Sequence, residues 1–511
     1  MASMHQQLTI PFLSSTLHPY FFFFLLAIAV LKLARRHKIK TSLNLPPSPT
    51  KLPIIGNLHQ IGPLPFRSFS ALSQKHGSLM WLQLGQTQTL VVSSADLVRE
   101  IMQTHDLAFS NRPKIAAARY ILYGCNDIGF SSYGESWKLK RKICSLELLS
   151  PKRVQSFCLT REEEVAQLVK KITEASLRDA SSVNLSELLL EAADNIVCKC
   201  ALGQKYANSR VKELARRVMI QLAVTTVGDH FPLLSWVDFL TGKVQDFKAI
   251  FVAFDALLDE LIVEHKKVQR QADHCSTDKD FVDILIRHQK NAMPDSQLTD
   301  NDIKSILLDM FSAGSDTSAA TLEWAMAELM RNPMKLKKAQ EEVRKIVGHK
   351  SKVEENDINQ MDYLKCVVKE TLRLHPAAPL LAPKETASSV KLRGYDIPAK
   401  TLVYVNAWWI QRDPEVWERA EEFIPERYGD NHVPLKGQFI PFGFGRRACP
   451  GVTFGLASIE YILANLLYWF NWKLPASLAS EQDIDMSETY GLITSKKVPV
   501  LLKPIPFQPS F

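Results

Sequence analysis

The sequence predicts a mainly α-helical protein with a smaller β-containing part, preceded by a single N-terminal transmembrane helix. Three observations predict it. A mostly apolar stretch from Leu8 to Leu31 stands ahead of a basic cluster. Long segments with helical spacing occupy the middle of the chain, from about Pro151 to Asn332. Beyond Ala377, Pro and Gly become frequent between short strand-like pieces, Val390-Lys391-Leu392 and Thr401-Leu402-Val403-Tyr404. At 511 residues the chain can build one large domain or two closely packed lobes. Its 46% apolar and 23% charged content is that of a globular protein. There is no fixed-period repeat and no Gly/Ser-rich divider between autonomous halves.

The first element is the apolar stretch, uninterrupted from Phe21 to Leu31 and long enough to cross a bilayer. Lys32, Arg35, Arg36, His37, Lys38 and Lys40 follow at once, and no Lys or Arg precedes it, so the positive-inside rule leaves everything downstream in the cytosol. Ala27-Ile28-Ala29 resembles a cleavage site, but the charges follow the apolar run, the reverse of a secretory leader. The expected division is an anchor over 1–34, a basic and Pro-rich linker over 35–53, and a main body over 54–511. In the linker, Leu45-Pro46-Pro47-Ser48-Pro49-Thr50-Lys51-Leu52-Pro53 favours an extended, semi-rigid spacer. Asn184-Leu185-Ser186 matches a glycosylation sequon, yet a cytosolic body leaves it bare, and Asn184 with Glu187 reads as a helix N-cap. A net charge of +8 without a long basic tract beyond the N-terminal region argues against nucleic acid and fits a membrane surface or an acidic partner. The eight cysteines, at 125, 144, 158, 198, 200, 275, 366 and 449, lack the C-x-x-C pairs of a zinc ribbon. Cys198-x-Cys200 lies in an apolar helical stretch and reads as two buried thiols.

The chemistry concentrates in Phe442-Gly443-Phe444-Gly445-Arg446-Arg447-Ala448-Cys449-Pro450-Gly451, followed by an apolar helical pattern towards Phe470. A thiol at a helix N-terminus, with Pro450 at the first helical position, is favoured as thiolate by the dipole and the free backbone N–H groups. Three other readings compete: an inert buried cysteine, a thiol nucleophile and a dinucleotide loop. The last needs a preceding buried strand and a later acidic residue, where an apolar helix stands instead. The nucleophile lacks an identifiable partner histidine.

The segment from Thr299 to Asn332 reads as one long helix, capped by Thr299 with Asp302 and stopped by Pro333. Ala313-Gly314-Ser315-Asp316-Thr317 is expected to interrupt its regular geometry and open a groove.

At this point the pattern Phe442-x-x-Gly445-x-Arg447-x-Cys449-x-Gly451 resembles the haem-binding signature of the cytochromes P-450. Five fixed identities arise by chance in on the order of one such chain in several thousand. The string at 313–317 resembles the family's A/G-G-x-D/E-T motif, which implies that Thr317 and Asp316 activate oxygen and deliver protons. Glu370-x-x-Arg373 and Phe423-Ile424-Pro425-Glu426-Arg427-Tyr428 resemble the E-x-x-R and F-x-P-E-R motifs, which implies a buried structural network of Glu370, Arg373 and Arg427. Trp137-x-x-x-Arg141, with Arg447, is implied to hold the haem propionates; Lys384 stands where many plant relatives carry Arg. Phe442 belongs to the cofactor loop, and Cys449 is the implied axial ligand to the iron of haem b.

Lys138, Lys140, Lys142 and Arg446 are expected to form a basic patch for the acidic flavin domain of a reductase. The chain shows no flavin or nicotinamide site of its own, so electrons from NADPH are expected to arrive through NADPH-cytochrome P-450 reductase, with cytochrome b5 as a further partner. The Pro-rich hinge and the P-F-G-x-G-R-R-x-C-P-G form look like the plant A-type microsomal group. That implies an endoplasmic reticulum membrane protein whose cytosolic body oxidises a terpenoid, phenylpropanoid or coumarin, alkaloid or aldoxime with dioxygen. The implied pocket draws on 115–128, 219–234, 307–313, 377–381 and 492–493, with Ile115, Ala313, Leu380, Leu381 and Leu492 as lining residues, mainly apolar or small. Two alternatives are a haem-thiolate isomerase or dehydratase that needs no oxygen, and a non-catalytic membrane-tethered haem carrier or sensor.

Overall fold

The structure is a computed structural model that describes residues 43–178, 182–203, 209–271, 280–291, 293, 297–429 and 437–507. The expected anchor at 1–34, the start of the linker and Cys275 lie outside the described residues. Residues up to Leu45 together with Lys391–Asp396 make a small unit. Within it, Asn44 N donates to Asp396 Oδ2 (3.0 Å) and Lys391 Nζ pairs with Asp396 Oδ1 (2.7 Å).

The large unit, Pro46–Val390 with Ile397–Phe511, is mainly helical. It opens with α1 (Pro65–His76), which starts on a proline and stops at Gly77, φ +101°. Two strands follow, β1 (Leu79–Leu84) and β2 (Thr87–Val92), paired antiparallel from Leu79↔Val92 to Leu84↔Thr87. Next come α2 (Ala116–Ile121), α3 (Glu135–Ile143), α4 (Cys158–Leu177), α5 (Leu185–Leu202), α6 (Ser209–Leu222), α7 (Lys243–Gln271) and α8 (Phe281–Asn291). The central helix α9 (Asp300–Arg331) leads to α10 (Pro333–Val347) and α11 (Asp362–Leu374). Short strands β3 (Lys384–Glu385) and β4 (Leu402–Val405) extend the first sheet in the order β1-β2-β4-β3, with β2 and β4 parallel. Last come α12 (Val452–Trp469), β5 (Phe470–Lys473) and β6 (Leu501–Pro506).

The limits of α9 follow from its sequence. Thr299 and Asp302 form a reciprocal capping box, Asp302 N donating to Thr299 Oγ1 (3.1 Å) and Thr299 N to Asp302 Oδ2 (2.9 Å). Asn332 ends the helix because Pro333 cannot continue it. From Ser318 to Met330 every side chain of α9 is buried, so this helix is the axis around which the core is packed. Asn184 caps α5, its side chain accepting from Glu187 N. Cys198 and Cys200 are buried in α5, and burial pushes both thiols up to about 12, so both stay neutral. Among the described residues, α12 alone is long and apolar enough to cross a membrane, and most of it is buried in the core.

Candidate active site

Cys449 sits on a loop that closes on itself before α12 begins. Cys449 N donates to Phe442 O (2.8 Å), Ala448 N to Gly445 O (3.1 Å) and Gly443 N to Ile440 O (3.0 Å). Gly445 is at φ +65°, and a Cβ there would collide with the Asp106 carboxylate, so only glycine lets the loop pass. Pro450 precedes the N-cap Gly451 and is therefore not the first helical residue; its ring instead fixes the turn into the cap. Gly451 N donates to Cys449 Sγ at 3.3 Å. Cys449 is exposed, yet enough protein surrounds its sulfur that burial is the largest influence on the thiol and pushes its pKa up. The Gly451 N–H and the Arg141 guanidinium oppose that push. A thiolate here therefore calls for a further positive charge, as a bound metal supplies.

On the adjoining helix, a Cβ at Gly455 of α12 would stand 3.9 Å from Ser318 Oγ of α9. Further towards the start of α9, Ala313 is exposed, although most of the helix is enclosed. Cys449, on the loop that leads into α12, and Ala313 of α9 are thus both accessible and joined to helices that pack together. The helix runs unbroken through 313–317, contrary to the expected interruption. The hydroxyls are absorbed within it: Thr317 Oγ1 donates to Ala313 O (2.7 Å), Ser318 Oγ to Gly314 O (3.0 Å) and Thr321 Oγ1 to Thr317 O (2.9 Å). Asp316 points towards α5 and α6. Burial, then the Asp194 carboxylate, pushes it up to about 6, while Arg216 pulls it down. Asp194 itself accepts from Ser315 and stands 3.7 Å from Arg216 Nη2. Neither Asp194 nor Arg216 carried a sequence signal.

Four cations gather near the cysteine loop. Arg447 is buried, with Nε on Ser110 O (2.8 Å), Nη1 on Ile128 O (3.2 Å) and Nη2 on Ser131 O (2.6 Å). Its guanidinium stacks 4.1 Å from the Trp137 ring, and Trp137 Nε1 also donates to Ile128 O (3.1 Å). Arg112 holds Gly129 O, Ala382 O and Pro383 O. Lys384 is buried over the Phe444 ring at 4.7 Å, and burial, with Arg112, pushes it down to about 7. The half-buried Arg141 side chain has no hydrogen bond or ion pair among the described residues. Arg112 and Arg447 face Asp127, Lys384 faces Asp106, and Asp106 is also paired with Arg446 (2.8 Å). The sequence placed Arg141 and Arg447 here and left out Arg112.

The basic patch is corrected in one member. Lys140 is buried and serves the interior, its Nζ held by Asn126 O (2.5 Å), Asn126 Oδ1 (2.6 Å) and Asp302 Oδ1 (3.0 Å). Its place in α3 turns it inward, opposite Lys138 and Lys142. Those two, with Arg141 and Arg446, line an open cleft of about 530 Å³ that Tyr133 and Trp137 floor.

Glu370, Arg373 and Arg427 meet in the interior. Arg373 grips Glu370 bidentately (2.8 and 2.8 Å), and Arg427 Nε donates to Glu370 Oε1 at 3.0 Å. Arg373 also donates to Gln411 O and Ala420 O, both at 2.7 Å. The pocket segments are drawn together by two backbone N–H groups: Ala116 N donates to the Asp229 side-chain Oδ1 (2.8 Å) and Thr494 N to Ala377 O (2.8 Å). Ile115, Phe442 and Leu492 are half-buried against the main core. Leu380 is instead buried in a smaller cluster with Phe66 and Met80, and Leu381 beside it takes φ +53°.

An accessible cysteine, an exposed alanine on the adjoining helix and a cluster of basic side chains that includes the unpaired Arg141 fit an iron porphyrin with two carboxylates. The family model described as Cytochrome P450 matches residues 46–503. A phenylacetaldehyde oxime monooxygenase of Prunus mume is 49% identical over 91% of this chain and 90% of its own length. Cytochrome P450 71A1 of Persea americana is also 49% identical, over 88% of this chain and 90% of its own. A zebra fish cytochrome P450 solved with abiraterone superposes with a TM-score of 0.74, covering 87% of this chain and 100% of that one, at 24% identity, which speaks to the fold.

Proposed function

Because the chain belongs to the cytochrome P450 family, we propose that it hydroxylates or otherwise oxidises a lipophilic small molecule of plant specialised metabolism, using haem b held by Cys449, dioxygen and electrons from NADPH. The observation that carries this reading is the exposed Cys449 on its closed loop, with the Gly451 N–H and the otherwise unpaired Arg141 guanidinium turned to its sulfur. Bound there, the haem would supply the activation of oxygen. Arg141, Lys384, Arg112 and Arg447 would take its carboxylates, with Trp137 stacked on Arg447 to keep that guanidinium flat.

The protein's own part is positioning and proton supply. Thr317 holds a hydroxyl one turn beyond the exposed Ala313, and its present acceptor, Ala313 O, is a bond it can exchange for a substrate-side partner. Asp316 is raised to about 6 by burial and Asp194, so near neutral pH it takes up and releases a proton readily. Asp194, raised by burial, would pass protons to it from the α5–α6 surface, with Arg216 beside the pair as a fixed positive charge.

The basic cleft beside α3 has the charge for an acidic flavoprotein, so NADPH-cytochrome P-450 reductase would dock there, with cytochrome b5 as an alternative donor. An endoplasmic reticulum anchor at 1–34 would keep the two proteins in one plane. For substrate, the apolar segments around Ile115, Ala223 and Leu492 favour a compact lipophilic molecule, and the oxime-oxidising relative makes an aromatic aldoxime the first to try. The test is spectroscopic: reduced protein with carbon monoxide should absorb near about 450 nm. Soret shifts then rank candidate substrates, and turnover should require NADPH, reductase and oxygen together. A folded, porphyrin-loaded protein without the 450 nm band would overturn the reading.

A further inference from the structure

The segment 126–131 is held from both sides. On one side its carbonyls are taken by cations and an indole: Asn126 O by Lys140, Ile128 O by Arg447 and Trp137, Gly129 O by Arg112, Ser131 O by Arg447. On the other side its amides are taken by two carboxyls. Ile128 N donates to Asp309 Oδ2 (2.6 Å), and Phe130 N to Asp127 Oδ2 (2.7 Å). Asp309 belongs to α9, one turn ahead of Ala313, and the Gly129 N–H turns to it as well. Both carboxyls close on Gly129, where a Cβ would stand 3.0 Å from Asp127 Oδ2 and 3.8 Å from Asp309 Oδ1.

Asp127 is fully buried, and its Oδ1 has no hydrogen-bond partner. A buried carboxylate oxygen without a donor is costly, and a second carboxylate beside it makes it more so. We propose that Asp127 and Asp309 share one proton at neutral pH and, as that singly charged pair, position the 126–131 segment on α9. One proton on the pair removes the repulsion that would drive the segment off the helix and lightens the cost of the unpaired Asp127 Oδ1. The groups facing the pair are Lys140 from α3, Arg112, Arg447 from the cysteine loop, and the thiols Cys125 and Cys144. Burial raises Asp127 to about 6 and Asp309 well above the carboxylate range, each against the pull of Lys140; it also keeps both thiols neutral. The inference rests on the proposed function only in taking this segment as one wall of the substrate space.

The test is amide hydrogen exchange of peptides covering 126–131 in the full-length haem-loaded protein, corrected for the intrinsic pH dependence of exchange, between pH 6 and 9. In the parent protein, opening of the segment should rise roughly tenfold for each pH unit beyond loss of the shared proton. Asp309→Asn, which keeps an acceptor for Ile128 N and cannot ionise, should stay protected and flat across the range. Asp309→Ala should exchange fast throughout. If the parent shows no pH dependence, or Asp309→Asn keeps it unchanged, the shared proton is ruled out. The carbon monoxide band of the same samples reports on the haem-thiolate reading separately, so either idea can fail alone.

Discussion

Replacing Glu370 with Gln keeps the side chain's shape and removes one charge from the interior. The Glu370 carboxylate is fully buried and accepts from Arg373 Nε (2.8 Å), Arg373 Nη2 (2.8 Å), Ile424 N (2.8 Å) and Arg427 Nε (3.0 Å). A glutamine offers one oxygen to these four donors and turns its own NH2 towards the rest. Two guanidinium groups, one of them fully buried, then lose their counter-charge. Breaking a buried pair from one side costs about 3–5 kcal/mol. Arg373 keeps Gln411 O and Ala420 O, and Arg427 keeps Glu418 O and Arg419 O, so the lower end of that range, about 3 kcal/mol, is expected. A chain of this size unfolds with an entropy of about 1 kcal/mol/K, which makes the expected fall in Tm about 3 °C. The assay is thermal unfolding of the haem-loaded protein at one fixed scan rate, with the half-life at a fixed temperature as a kinetic check. Turnover per mole of correctly loaded protein should not change, because the network touches no substrate. A Tm within a few tenths of a degree of the parent would refute the argument that this carboxylate neutralises the two arginines.

Asp316→Asn tests the raised carboxyl. Because the folded value, about 6, lies above the usual 3.8, Asp316 contributes stability at acid pH that is lost as pH rises between those values. The Asn variant should flatten the stability profile across that window, by at most about 3 kcal/mol and less after solvent screening, as read by urea titrations at pH 4 and pH 7. Lys140→Met should destabilise by about 2–4 kcal/mol without weakening the reductase, whereas Lys142→Glu should weaken the reductase without lowering Tm. Gly314→Ala would place a Cβ 2.9 Å from Val197 Cγ2 and should cost about 1–3 kcal/mol in thermal unfolding. Adding Val197→Ala should recover most of that loss; no recovery would show that the strain lies elsewhere.

The sequence was informative where a side chain's role depends on neighbours close along the chain. The capping pair Thr299 and Asp302, the stop at Pro333 and the cysteine loop with its glycines could all be read from local chemistry. The helix at 313–317 could not, because Ser and Thr can either break a helix or bond the carbonyl four residues back, and packing against α5 selects the second. Lys140 looked like part of a charged surface until Asn126 and Asp302, 14 and 162 residues away, enclosed it. Arg112 was invisible for the same reason, since the carbonyls it grips at 382 and 383 lie 270 and 271 positions further on.

The close approach of Gly314 to Val197 limits how this protein can diversify. Where α9 lies against α5, a side chain larger than glycine's hydrogen at 314 would press on Val197, so this contact helps to hold the face of α9 near Ala313 in place. New preferences among homologous proteins should then arise by exchanging the loops before α3 and around residue 492, and swapping those loops between two relatives should transfer selectivity, while grafting the helix should not.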